Sequence, residues 1–184
     1  MIEVRALPLD GVLEIVPRKF ADERGFFSET YNSVDLSQAG VSLTFVQDNQ
    51  SLSRDRGVLR GLHYQLEPKA QAKLVRVLRG SIFDVAVDIR KSSPTFGKWV
   101  GVVLSEQKWN QLFVPVGFAH GFVTLEADTE VMYKTSAHYA PDAERAIRFD
   151  DPTLAIDWPV ETSSLILSAK DQRASALADA EVFA

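Results

Sequence analysis

The sequence predicts an all-β protein, an antiparallel sandwich or barrel with few and short helices. Three observations predict it. Many short runs read as strands. Turn signals separate them closely. Helical patterning between them is nearly absent, so no alternation of strand and helix builds a parallel sheet.

The clearest strand covers residues 81–89, where Ser81, Phe83, Val85, Val87 and Ile89 alternate with Ile82, Asp84, Ala86 and Asp88. Such alternation predicts a half-buried strand. Residues 73–78 form another, closed by the turn at Arg79-Gly80. Further strands are expected over 11–16, 43–47, 58–64, 99–104, 111–114, 118–124 and 129–136. Arg56-Gly57, Ser93-Pro94, Phe96-Gly97 and Pro115-Val116-Gly117 punctuate them. One short helix is expected over 34–39, closed by Gly40, and an Ala-rich helix over 171–180. No Gly-rich phosphate loop occurs.

The 184 residues suffice for a single domain spanning 1–184, and nothing in the sequence divides it. A formal net charge of −5 argues against nucleic acid or an anionic membrane as partner, because both need a basic face. There is no cysteine, which excludes disulfides and thiolate metal sites. No stretch approaches the roughly 20 apolar residues of a membrane span, and the N-terminus lacks the apolar run of a signal peptide. A cytoplasmic enzyme fits these features.

Among the three histidines, His63 has the most informative surroundings. It lies in the strand-like run Gly57-Val58-Leu59-Arg60-Gly61-Leu62-His63-Tyr64. Arg60 stays charged and needs an anion or solvent. Strict alternation puts Arg60 and His63 on opposite faces, and a bulge at Gly61 is needed to bring both to one pocket. His120 is either a pocket residue or a satisfied core histidine, and His138 reads as surface.

A glycine followed six positions later by histidine resembles the first motif of cupins, which are small jelly-roll barrels. Pro115 to His120 partly matches the second. Metal-binding cupins carry a second histidine and a glutamate where this chain has Gln65 and Lys73. An ammonium has no lone pair to give a cation. The resemblance is therefore to a cupin without metal. It becomes specific in ordered blocks from about residue 20 to 172: Arg24 to Glu29, Gln47-Asp48-Asn49, Gly57 to Gln65, Phe113 to Phe122, Tyr133-Lys134, Tyr139, Glu144, Asp151-Pro152, Trp158-Pro159 and Ser168 to Asp171. These blocks resemble the dTDP-4-dehydrorhamnose 3,5-epimerases.

The resemblance implies a cupin jelly roll that inverts carbons beside the ketone of a dTDP-linked 4-keto-6-deoxy sugar, using neither cofactor nor metal. A hydrogen beside a ketone is acidic because its loss gives an enolate; a base, an acid on the other face and positive charge at the oxygen are required. The implied base is His63, with Asp171 as carboxylate partner; on sequence alone Asp171 is also a helix N-cap. Tyr133 is the implied acid, or else an ordinary strand aromatic. Lys73, otherwise a solvated lysine, is implied at the enolate oxygen. Arg24, Arg60 and Lys170 are implied at the nucleotide or its phosphates. Glu29, Gln47 and Asn49 are implied at thymine or sugar and Tyr139 on the thymine ring, with Phe27, His120 and Glu144 as further substrate contacts. The family resemblance also implies a homodimer in which the Arg24–Glu29 block completes the partner's site. Rival readings are a 3- or 5-monoepimerase, a metal-dependent cupin oxygenase or isomerase, and a non-catalytic sugar-binding jelly roll.

Overall fold

The structure, a computed structural model, describes residues 2–184. One sheet has six strands, in the order β1 (Ile2–Ala6), β2 (Leu13–Pro17), β10 (Gln111–Val114), β7 (Lys73–Arg79), β12 (Thr129–Thr135) and β5 (Gln47–Ser53). The other has five: β13 (Glu144–Ala146), β6 (Leu59–Gln65), β11 (Phe118–Thr124), β8 (Ser81–Asp88) and β9 (Trp99–Ser105). A separate hairpin joins β3 (Lys19–Asp22) to β4 (Gly25–Ser28). Neighbouring strands pair antiparallel. Most neighbours in the sheets are distant in sequence, as in a jelly roll.

The two sheets bury their facing sides together. Val75, Val77, Leu112 and Val131 from the six-stranded sheet meet Ile82, Ala86, Leu104 and Phe122 from the other. Period-two patterning produces this directly, since alternate side chains share a face. The outer face of the six-stranded sheet is covered around Ile15, Leu74 and Phe113 by Leu36 of the helix α1 (Ser33–Gln38) and by Val41. That helix starts where Asn32 Oδ1 accepts the Val34 and Asp35 N–H groups.

Three expectations need correction. The strand at 81–89 is buried on both faces rather than one, because Leu154, Trp158, Leu177 and Phe183 cover the outer side of Val85, Val87 and Ile89. Residues 171–180 do not form one helix. They make two 3₁₀ turns, Asp171–Arg173 and Leu177–Asp179. Between them Ser175 bridges to Ile147, and Asp151 accepts the Leu177 N–H, so tertiary partners take the backbone groups a helix would use. The strand expected over 43–47 begins only at Gln47. Leu43 and Phe45 instead pack beneath α1 as a loop.

Candidate active site

The site is built where β6 and β11 pair. His63 stands opposite His120, and Arg60 opposite Phe122, so three steps on β6 match two on β11. That extra residue is the bulge the sequence required, and Gly61 sits in it with φ +139°. Its effect is to bring Arg60 and His63 to the same inward face, where both line one cavity with His120, Lys73 and Tyr133. A contiguous cavity of about 230 Å³ adds Gln47, Gln65, Gln71, Tyr139 and Glu144. Its walls come from opposite sheets. His63 and His120 project from the five-stranded sheet; Lys73, Tyr133, Gln47 and Asn49 project from the six-stranded one.

Asp171 reaches His63 from the C-terminal segment, with Oδ1 2.6 Å from Nε2. Its Oδ2 accepts the Ser168 hydroxyl at 2.8 Å. Burial pushes the Asp171 carboxyl up, but the hydrogen bonds from His63 and Ser168 outweigh it and hold the group below its ordinary value. An ionised carboxylate only accepts, so Nε2 carries the hydrogen and Nδ1 the lone pair. Asp171 does not cap its short turn.

A second histidine–carboxylate pair lies deeper. His120 Nε2 is 2.5 Å from Asp84 Oδ1, and both residues are buried. Burial pulls the His120 pKa below its ordinary value against the opposing pull of Asp84, which keeps the imidazole neutral at neutral pH. His120 is thus both a satisfied histidine and a pocket residue.

Lys73 is only 8% exposed, which removes the solvated reading. Its Nζ donates to the His63 carbonyl at 3.3 Å. Burial lowers its pKa to about 8, although Asp84 and Glu144 pull upward. Tyr133 is shifted the other way: burial raises it, with Arg60 opposing, so the phenol keeps its proton at neutral pH.

At the mouth, Glu144 pairs with Lys170 and accepts the Tyr139 hydroxyl at 2.8 Å. Burial raises the Glu144 carboxyl, but the bonds to Lys170 and Tyr139 prevail and hold it low. Gln47 accepts the Tyr139 N–H at 3.0 Å and donates to Asn49 at 2.9 Å. Arg24, Phe27 and Glu29 are not brought to this cavity within the chain. The Arg24 side chain is 85% exposed and bound to Asp22, Phe27 is 69% exposed, and Glu29 accepts from Asn32 beside a separate cleft.

Sequence reasoning missed Asp84, Ser168 and the structural work of Gln65. Asp84 carried a signal: an acid at an inward position of an apolar strand demands a partner. Among the described residues, no three His, Cys, Asp or Glu side chains gather to hold a metal.

Polar residues turned inward from both sheets around one open pocket define a cupin-like jelly-roll enzyme. The chain belongs to the dTDP-4-dehydrorhamnose 3,5-epimerase family, whose sequence model matches residues 6–179. It is 52% identical over 178 residues to the dTDP-4-dehydrorhamnose 3,5-epimerase of Pseudomonas aeruginosa, covering 96% of this chain and 97% of that one. A crystal structure of the Bacillus anthracis 3,5-epimerase with TDP and pyrophosphate bound matches at TM-score 0.93 and 47% identity, covering 96% and 99% of the two chains. The Legionella pneumophila epimerase, in complex with dTDP-4-keto-L-rhamnose, matches at TM-score 0.93 and 46% identity, covering 98% and 95%. A 3′-monoepimerase from Streptomyces bikiniensis, in complex with dTDP-quinovose, matches at TM-score 0.87 and 35% identity, covering 94% and 86%. Among the described residues, no helix is long and apolar enough to cross a membrane.

Proposed function

We propose that this enzyme inverts C3 and C5 of dTDP-4-dehydro-6-deoxy-D-glucose, giving dTDP-4-dehydro-L-rhamnose, by proton transfer without a metal or other cofactor. The observation that carries the reading is the approach of His63 and Tyr133 from opposing sheets across one pocket. His63 Nδ1 takes a hydrogen from a carbon beside the C4 ketone. The C–H electron pair becomes the enolate, and Asp171 stabilises the imidazolium. The Lys73 ammonium meets the charge on the C4 oxygen. Tyr133 returns a proton to the opposite face, which inverts the centre. C3 and C5 flank the same ketone, so one set of residues serves both. Proton transfer leaves the oxidation state unchanged, and the cation at Lys73 takes the electrostatic role of a metal.

Arg60 and Lys170 bind the diphosphate in this reading, Tyr139 stacks on thymine, and Gln47, Asn49 and Glu144 hold the nucleotide or sugar by hydrogen bonds. Arg24, Phe27 and Glu29 serve the site of a second subunit in a homodimer. Residues 1–184 act as one domain, in the cytoplasm. Double inversion is favoured over single: identity is 52% to the P. aeruginosa 3,5-epimerase and 35% to the monoepimerase.

Tyr133→Phe tests the scheme. The variant keeps the ring but has no phenolic proton. In heavy water it should wash deuterium into C3 or C5 of recovered starting sugar faster than it makes inverted product, while His63→Ala does neither. Inversion at the normal rate by Tyr133→Phe overturns the role of Tyr133.

A further inference from the structure

Gln65 occupies a position where metal-binding cupins hold a ligand, and it lies in the cavity wall, yet its amide is turned to the backbone of neighbouring loops. It is buried, and both its N–H groups and its carbonyl oxygen bond to the backbone of two loops. Nε2 donates to the Lys69 carbonyl at 2.6 Å and to the His138 carbonyl at 3.2 Å. Oε1 accepts the Ala140 N–H at 2.9 Å. The first carbonyl belongs to the loop leading into Lys73. The other two groups flank Tyr139 on either side. An amide supplies two donors and an acceptor on one rigid plane, which neither a carboxylate nor an imidazole offers.

We infer that Gln65 is a positioning residue that locks the nucleotide-facing loop: it holds residues 138–140 against the 66–72 loop and so presents Tyr139 to the nucleotide. The inference rests on the proposed contact between Tyr139 and thymine. The backbone on both sides of Tyr139 is fixed by one side chain from β6, the strand that also carries His63. Gln47 accepts the Tyr139 N–H between those two bonds, so three consecutive residues are held from two sheets. The old ligand position thereby serves substrate binding rather than chemistry.

Gln65→Met keeps the side-chain length and removes all three bonds. Amide exchange at Ala140 should accelerate by about tenfold or more, and the dTDP dissociation constant should rise by about tenfold, as befits several lost bonds shared with loop ordering. The loss should fall more heavily on dTDP affinity than on deuterium wash-in at saturating sugar nucleotide, because the three lost bonds go to the two loops and none to His63. Unchanged dTDP affinity, or a loss confined to the saturated rate, overturns the inference. If Gln65→Met folds poorly, Gln65→Glu serves instead: it keeps an acceptor for Ala140 but offers the two carbonyls at most one donor, and that only when protonated, and it should weaken dTDP in the same sense. In a Tyr139→Ala background, Gln65→Met should add less than about a twofold further loss, since both act through one ring; additive losses overturn the inference. If Tyr139→Ala itself leaves dTDP affinity intact while Gln65→Met weakens it, the thymine contact fails and the presentation of Tyr139 fails with it. If Tyr139→Ala weakens dTDP and Gln65→Met does not, the lock alone fails.

Discussion

Gly61 and Gly121 face each other across β6 and β11 so closely that a Cβ on Gly61 would lie 2.5 Å from the Gly121 Cα. The same Cβ would stand 3.0 Å from the His120 carbonyl oxygen, and one on Gly121 would stand 2.9 Å from that of Arg60. Two backbones without side chains meet at the bulge, and the bulge turns Arg60 inward beside His63.

Gly61→Ala should therefore be costly twice, through the backbone contact and through φ +139°, which disfavours any side chain. A loss of about 2–4 kcal/mol is expected. Urea unfolding of the variant measures it, and a native midpoint would show that β6 can slide without harm.

Asp171→Asn tests the partner of His63. The amide can donate to the ring nitrogen as well as accept, so it no longer enforces the tautomer that leaves Nδ1 free. The turnover number should drop by about 10²–10⁴. Affinity for dTDP should not change, and calorimetric titration checks that half of the expectation.

In the proposed scheme Lys73 links activity to pH. Its pKa is about 8 when folded and 10.5 as a free side chain, so the folded protein binds fewer protons between those values. Its contribution to stability rises with pH across that window and is least favourable below about pH 8. The lowered value already includes the attraction of Asp84 and Glu144. Lys73→Met should accordingly raise the melting temperature at pH 7 while abolishing most epimerisation. In the native enzyme kcat/KM should fall as pH rises through about 8, and Lys73→Arg, which stays charged, should lose that limb. A flat alkaline profile in the native enzyme would remove the cation from the scheme.

Arg24 lies outside the pocket of its own chain, which makes subunit mixing informative. In the proposed homodimer, Arg24→Ala and His63→Ala should each be weak. Refolded together, they should form hybrids in which one site has a native Arg24 and a native His63, restoring up to about half the native activity of that hybrid fraction. No recovery in hybrids shown to form would place Arg24 at its own subunit's site or at none.

The all-β class and most inner strands were legible because alternation records burial, as at Val75 and Val77. The polar run of β5 was not, since Gln47 to Ser51 carry no apolar signal and pair with β12 through the backbone and through polar side chains, Gln50 with Glu130 and Asp48 with Lys134. The 171–180 helix was misread because alanine propensity is weak beside the bridge from Ser175 to Ile147. In the site, pattern alone located the need for a bulge but not its existence. The pairing of His63 with Asp171 came from resemblance, since no local pattern joins them. Asp84 with His120 and the bonds of Gln65 are tertiary facts that neither route reached.

His63 and Asp171 are 108 positions apart, and the carboxylate arrives on a segment held by Asp151, whose Oδ2 takes the Leu177 N–H. A chain could close both sheets and still lack the proposed base with its carboxylate partner until that segment docks. Long-range contacts of this kind form late, because the intervening loop must first be ordered. Regained turnover after dilution from denaturant is therefore a clock for the docking of the last forty or so residues, and it can lag behind the far-ultraviolet signal of the barrel.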